Sequence, residues 1–149
     1  MTFPPLNFVG RLDGLCCSLD EVGIDSLVVT SSTNIRYLTG FTGSAADLVV
    51  DKNGALLITD GRYREQAPEQ VESSGVSVSI VGSDRRSVLR RSVMGAKRVG
   101  LEADSVSWAE QLRFLEWLDT SDLIPVDGVV ESCLLYTSPS PRDGLLSRM

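Results

Sequence analysis

Two apolar runs, Asp47 to Val50 and Ala55 to Thr59, stand on either side of Asp51-Lys52-Asn53-Gly54. Asn-Gly between such runs is a strong hairpin signal, because both residues tolerate positive φ, and it places an antiparallel pair inside the chain. Helical and strand patterns alternate around it. Residues 7 to 22 repeat Phe8, Leu12, Leu15 (or Cys16) and Leu19 at the three-to-four spacing of an amphipathic helix, which Gly23 closes as a C-cap. Ser26 to Thr30 reads as a strand. Ser31-Ser32-Thr33-Asn34 is a capping cluster before a short helical turn, Ile35 to Leu38, stopped by Gly40. Asp60 is placed to cap a helix from Arg62 to about Glu72. Val76 to Val81 alternates apolar residues with serine, as a half-buried strand does. Ser83 or Asp84 then caps a helix through Met94, and Arg98 to Leu101 is a short strand. Ser107 caps a helix from Trp108 to Leu118, in which Trp108, Leu112, Leu115 and Leu118 fall on one face. Leu123 to Val126 is the final strand. This alternation, with one hairpin inside it, predicts an α/β fold: a mixed β-sheet covered by helices.

The chain has 149 residues, 42% of them hydrophobic and 23% charged, which suits one domain with one core. Its net charge is -6 with the two signs mixed, and no Lys/Arg stripe is interleaved with aromatics, so no nucleic-acid partner is expected. The longest apolar runs, such as Ala55-Leu56-Leu57-Ile58, are too short to span a bilayer, so no membrane partner is expected either. Met1-Thr2-Phe3-Pro4-Pro5 lacks the basic and apolar regions of a secretion signal, and a cytoplasmic location follows as the expectation. Cys16 and Cys17 are neighbours in a helix and cannot bridge without strain; they read as two reduced thiols, one facing the core. Histidine is absent. That removes the imidazole on which zinc hydrolases, Ser-His-Asp and Cys-His enzymes depend. A carboxylate-only site needs converging acids, and none shows at regular spacing. No catalytic residue and no metal ligand is therefore assigned in this chain.

Two segments carry most of the functional information. The first is Asn34-Ile35-Arg36-Tyr37-Leu38-Thr39-Gly40-Phe41-Thr42-Gly43-Ser44, and the second is Leu57-Ile58-Thr59-Asp60-Gly61-Arg62-Tyr63-Arg64-Glu65-Gln66-Ala67. The first reads as a capped turn entering a Gly/Thr/Ser loop that leaves backbone NH groups free beside Tyr37 and Phe41. Such a loop can meet a peptide or an anion, although turn-making alone also accounts for its glycines. The candidate contact residues are Tyr37, Thr39, Gly40, Phe41, Thr42, Gly43 and Ser44. Phe41 is the sharpest of them: exposed, its ring marks a contact surface; buried, it plugs the core. In the second segment the default role of Asp60 is to cap the next helix and pair with Arg62, ahead of any substrate contact.

In this order and separation the two segments resemble the N-terminal domain shared by Xaa-Pro aminopeptidases, prolidases and creatinases. The stretch Val99-Gly100-Leu101-Glu102-Ala103-Asp104-Ser105-Val106-Ser107 is similar to the strand-to-helix passage near the end of that domain, so the resemblance covers residues 7 to 130. It implies a two-domain parent whose rear domain, absent here, has the pita-bread fold. That domain holds two divalent ions (manganese, cobalt or zinc) on two Asp, one His and two Glu. It also implies that the parent hydrolyses Xaa-Pro peptide bonds, and that the front domain serves homo-oligomerisation and reaches over a partner's active site. The residues Tyr37 to Ser44 correspond to that loop. Creatinases tend to carry an aromatic-Gly-Arg triplet where this chain has Thr42-Gly43-Ser44, which favours peptide substrates over creatine. A free-standing α/β binding module and a catalytically dead relative stay open as alternatives.

From Cys133 onward the texture changes. The segment Cys-Leu-Leu-Tyr-Thr-Ser-Pro-Ser-Pro-Arg-Asp-Gly-Leu-Leu-Ser-Arg-Met resembles a sequencing-library adapter translated in frame. Residues 1–132 are thus expected to form the domain of a truncated parent, and residues 133–149 a disordered, adapter-encoded tail.

Overall fold

The computed structural model describes residues 8–82, 84–103, 105–119 and 121–126. Six strands form one mixed sheet in the order β4-β3-β2-β1-β5-β6. They are β1 (Ser26–Val29), β2 (Ala46–Asp51), β3 (Gly54–Asp60), β4 (Ser77–Val81), β5 (Arg98–Glu102) and β6 (Asp122–Val126). Strand β2 runs antiparallel to β1 and β3, and the pairs β1–β5, β3–β4 and β5–β6 are parallel. The carboxyl ends of β1, β3, β4, β5 and β6 therefore gather at one edge with the start of β2. The helices are α1 (Phe8–Val22), α2 (Ser32–Thr39), α3 (Gln66–Gln70), α4 (Arg85–Ser92) and α5 (Trp108–Trp117). The mixed sheet with covering helices expected from the sequence is the architecture found.

Side chains alternate across the sheet with the two-residue period of a strand. On one face Leu27, Val29, Leu48, Val50 and Leu57 pack with Leu12, Leu15 and Leu19 of α1 and with Ile35 and Leu38 of α2. On the other, Val28, Val49, Ile58, Val99 and Leu101 pack with Val88 and Leu89 of α4 and with Phe114 and Leu118. Each such side chain, once fully buried, contributes roughly 1.5–3 kcal/mol. Cys16 lies against the first core while Cys17 is exposed, and neither is in a disulfide. At the amino edge, the carboxylate of Asp25 accepts the amides of Lys97 and Arg98 at 2.9 and 3.1 Å, pinning β1 to β5. Hydrogen bonds from those two amides, Arg98 foremost, hold its pKa below the ordinary 3.8.

Four local expectations need correction. The hairpin forms, but Lys52 and Asn53 make its tip, since Asp51 pairs with Gly54 across the strands. Within the hairpin Gly54 alone has positive φ, and Asn53 instead donates its amide to the Asp51 carboxylate at 2.8 Å, an Asx turn. The single helix expected from Arg62 to Glu72 is three pieces: a 3₁₀ turn Gly61–Tyr63, α3, and a second 3₁₀ turn Glu72–Ser74. Pro68 accounts for the first break, because its ring clashes with the carbonyl of Arg64 and removes the donor to it. Helix α4 ends at Ser92, short of Met94, and Asp84 at its start makes no side-chain cap bond. In α5 the inward face is Phe114 and Leu118; Trp108, Leu112 and Leu115 are 74%, 51% and 48% exposed. Ser83, Asp104 and the expected tail 133–149 lie outside the described residues. Among the described residues no helix is long and apolar enough to cross a membrane.

Candidate functional site at the carboxyl edge of the sheet

The first segment enters the edge through α2. Ser31 caps this helix by accepting the Asn34 amide at 3.3 Å. Gly40 ends it at φ 85°, a left-handed conformation that any Cβ would disfavour, and donates its amide to the Arg36 carbonyl at 2.8 Å. Thr39, fully buried, donates its hydroxyl to the Ile35 carbonyl at 2.7 Å and accepts the Phe41 amide at 3.1 Å. This turn drives Phe41 into the core, where it is 1% exposed. Of the two roles open to Phe41, the core plug is the one it occupies. Tyr37 is half-buried against the same core, with the Arg11 guanidinium 3.9 Å from its ring centre.

The second segment holds the first in place. The Tyr63 ring meets Phe41 edge-on at 5.2 Å. Its phenol oxygen accepts the Ser44 amide at 3.1 Å and shares a hydrogen bond with the Ser44 hydroxyl at 2.9 Å. Those bonds, the hydroxyl's first, lower the Tyr63 pKa below its ordinary value by favouring the phenolate. Gly43 sits between the two rings: a Cβ there would strike Phe41 and come within 2.9 Å of Tyr63 Cε1. Thr42 donates its amide to Gln70 Oε1 at 2.9 Å, and its hydroxyl accepts from Gln70 Nε2 at 2.9 Å. The expectation of free backbone NH groups fails here, because the amides of Gly40, Phe41, Thr42 and Ser44 are all bonded. The loop is a fastened surface, with Thr42 and Ser44 as its exposed side chains.

Asp60 accepts the Arg62 amide at 3.0 Å, capping the 3₁₀ turn, and its two oxygens take a forked bond from the guanidinium, the shortest 2.8 Å. Arg62 thereby lowers the Asp60 pKa, mainly through the side-chain bond. With Arg62 67% exposed, the pair adds little stability.

The third segment closes the edge from the other side. Glu102, buried at the end of β5, accepts the amides of Thr30 and Ser31 at 3.1 and 3.2 Å and the side-chain amide of Asn34. All three segments singled out in the sequence thus meet, the second through Tyr63 and the third through Glu102.

Between β1, β2, β3 and the α5 start lies a crevice of about 430 Å³, lined among others by Thr30, Asp47, Asp60, Arg85, Glu110 and Arg113. Asp47 is buried at its floor with both oxygens taken by a fork from Arg85, one bond at 2.8 Å. Burial disfavours the Arg85 charge, but the Asp47 carboxylate outweighs it and raises the pKa. The Arg85 guanidinium also lies 5.3 Å from the Trp117 ring centre. The Thr30 hydroxyl is buried with no partner among the described residues. Asp47 and Arg85 were not picked out from the sequence, and Glu102 stood in a quoted segment without a role of its own. An acid heading the apolar run 47–50 was the available signal. The crevice offers polar contacts to a peptide-like group. It does not fit a divalent ion, since the arginines occupy the carboxylates of Asp47 and Asp60. Among the described residues no three His, Cys, Asp or Glu gather as ligands.

Residues 11–133 match the Creatinase/Prolidase N-terminal domain. The chain is 35% identical over 130 residues to an uncharacterized peptidase, YqhT, of Bacillus subtilis, covering 86% of this chain and 36% of that protein. Among solved structures, an Xaa-Pro dipeptidase from Bacillus anthracis superposes with a TM-score of 0.80 at 30% identity, over 87% of this chain and 36% of its own. The N-terminal domain of the cytoplasmic peptidase PepQ from Mycobacterium tuberculosis does so at 0.75 and 31%, over 83% of this chain and 97% of its own. The chain thus spans about a third of the length of the first two relatives.

Proposed function

Because the chain belongs to the creatinase/prolidase N-terminal domain family, we propose that it is the non-catalytic front part of a longer Xaa-Pro peptidase. The match over residues 11–133 carries this reading, supported by peptidase relatives of which the chain spans only 36%. On this reading hydrolysis takes place in a following domain. Two divalent ions there, manganese, cobalt or zinc, would supply the activated water and polarise the scissile carbonyl. The role of this chain is to bind and orient. Its sheet edge, fastened by Phe41, Tyr63 and Glu102, offers Thr42, Ser44 and the Asp47–Arg85 crevice as a rigid wall to a peptide substrate or to a second subunit of a homo-oligomer. A rigid wall loses little conformational freedom when a ligand is seated on it. A cytoplasmic location belongs to the same reading, supported by the neighbour described as a cytoplasmic peptidase.

The test is to read the source gene past residue 132, express the complete product, and assay Xaa-Pro peptides with each of the three metals beside the 149-residue chain. Turnover by the complete product and none by the chain is the expected result. Metal-dependent turnover by the chain alone, or a complete product inert with every metal, would reject the reading.

A further inference from the structure

Among the described residues, five large hydrophobic side chains are markedly exposed, and three of them stand on one flank of α5. Trp108, Leu112 and Leu115 follow each other at four and three residues, so they form one continuous apolar stripe. The stripe is not the core-facing side of the helix, which Phe114 and Leu118 provide. It is not the crevice side either, which Glu110 and Arg113 line. Gln111, the sequence neighbour of Leu112, lines a small cleft of about 110 Å³ with Val106, Leu123, Ile124 and Pro125, so α5 and β6 meet on this side of the domain. Among the described residues strand β6 is the sheet's outer strand, but Pro125 lacks an amide, which makes strand addition a poor way to cover it. Side-chain docking remains.

Position and size identify the occupant. The Val126 carbonyl accepts the Ala103 amide at 2.8 Å, five residues before Trp108, so chain leaving β6 starts beside the N-terminus of α5. Covering one Trp and two half-exposed Leu removes on the order of 300–400 Å², well below the ~800 Å² per partner of a stable free complex. A tethered partner needs far less, because its effective concentration is in the millimolar range. We propose that Trp108, Leu112 and Leu115 are the seat of the domain that follows β6 in the longer protein. This rests on the reading above that such a domain follows.

Hydroxyl-radical footprinting with mass spectrometry tests it on two samples, the 149-residue chain and the complete gene product, at equal concentration. Trp108 should be oxidised several-fold more slowly in the complete product, while Met94, 78% exposed just past α4, serves as the reference. Equal oxidation of Trp108 in a complete product that cleaves Xaa-Pro peptides would overturn the inference and leave the functional reading standing. Protection already present in the short chain, growing with its concentration, would assign the stripe to a second copy and overturn it too. A gene with no following domain would overturn both.

Discussion

Glu102 in β5 accepts a hydrogen bond from the side chain of Asn34 in α2, 68 residues earlier, and with its other oxygen takes the amides of Thr30 and Ser31. One carboxylate therefore fixes the exit of β1, the start of α2 and the end of β5. Replacing it by alanine leaves three half-buried donors without their acceptor. Glu102→Ala should cost about 2–4 kcal/mol, and Asn34→Ala, which leaves the bonds from Thr30 and Ser31 to Glu102 in place, about 1–2 kcal/mol. Urea denaturation measures both, and a Glu102→Ala loss within about 0.5 kcal/mol would mean that water replaces the carboxylate freely.

Gly43 is required by the rings on either side of it. A methyl group there would strike Phe41 and approach Tyr63, neither of which can rotate away without leaving the core contact. Gly43→Ala should destabilise by about 1–3 kcal/mol. Gly61→Ala is the control, since the added carbon meets only the flexible end of Arg64, at 3.9 Å, and its effect should be near zero or slightly stabilising. Equal thermal midpoints for the two variants would refute the close-packing argument.

Asp47 and Arg85 should behave asymmetrically. Arg85→Ala leaves the Asp47 carboxylate buried without its fork and should cost about 3–5 kcal/mol. The double variant Asp47→Leu, Arg85→Leu should recover much of that loss, because no buried charge is left unpaired. A double variant as unstable as the single one, by urea denaturation, would count against the ion pair as the cause.

Asp25 and Asp60 both sit below the ordinary carboxyl pKa, Asp25 through the Arg98 and Lys97 amides and Asp60 through Arg62. The folded chain thus binds fewer protons than the unfolded one near that value. The stabilisation is complete above pH 3.8 and disappears as pH falls through the lowered folded-state values. Asp25→Asn should accordingly lower stability at pH 6 and narrow the difference between pH 6 and pH 3. An unchanged pH difference in urea midpoints would show that Asp25 is not linked to folding.

Local pattern made the strands and the hairpin legible, because β1, β2 and β5 are buried on both faces and so read as short, nearly continuous apolar runs bounded by turn residues. Helix α5 was legible in extent but not in orientation. Its residues are apolar on two flanks, and periodicity alone cannot decide between Phe114–Leu118 and Trp108–Leu112–Leu115. The breaks around α3 were readable from Pro68 but were outweighed by the apparent cap at Asp60. The contacts that build the site were not readable: nothing local in Tyr63 points to Ser44, nor in Glu102 to Asn34. Those pairs depend on the strand order, which brings distant segments to one edge.

That strand order also has a kinetic side. Strands β2 and β3 close over two residues, whereas the Asp25–Arg98 contact beside the β1–β5 seam spans 73. Loop closure costs more entropy for the second, so the hairpin is expected to form before the seam. Substitutions in the hairpin core, such as Leu48→Ala, should then slow refolding, while Glu102→Ala should mainly speed unfolding. Stopped-flow chevrons that reverse this division would place the seam in the nucleus. A seam that closes last leaves the edge of β1 unpaired until the parallel join is made, so that join sets the interval during which the chain can pair with the wrong strand.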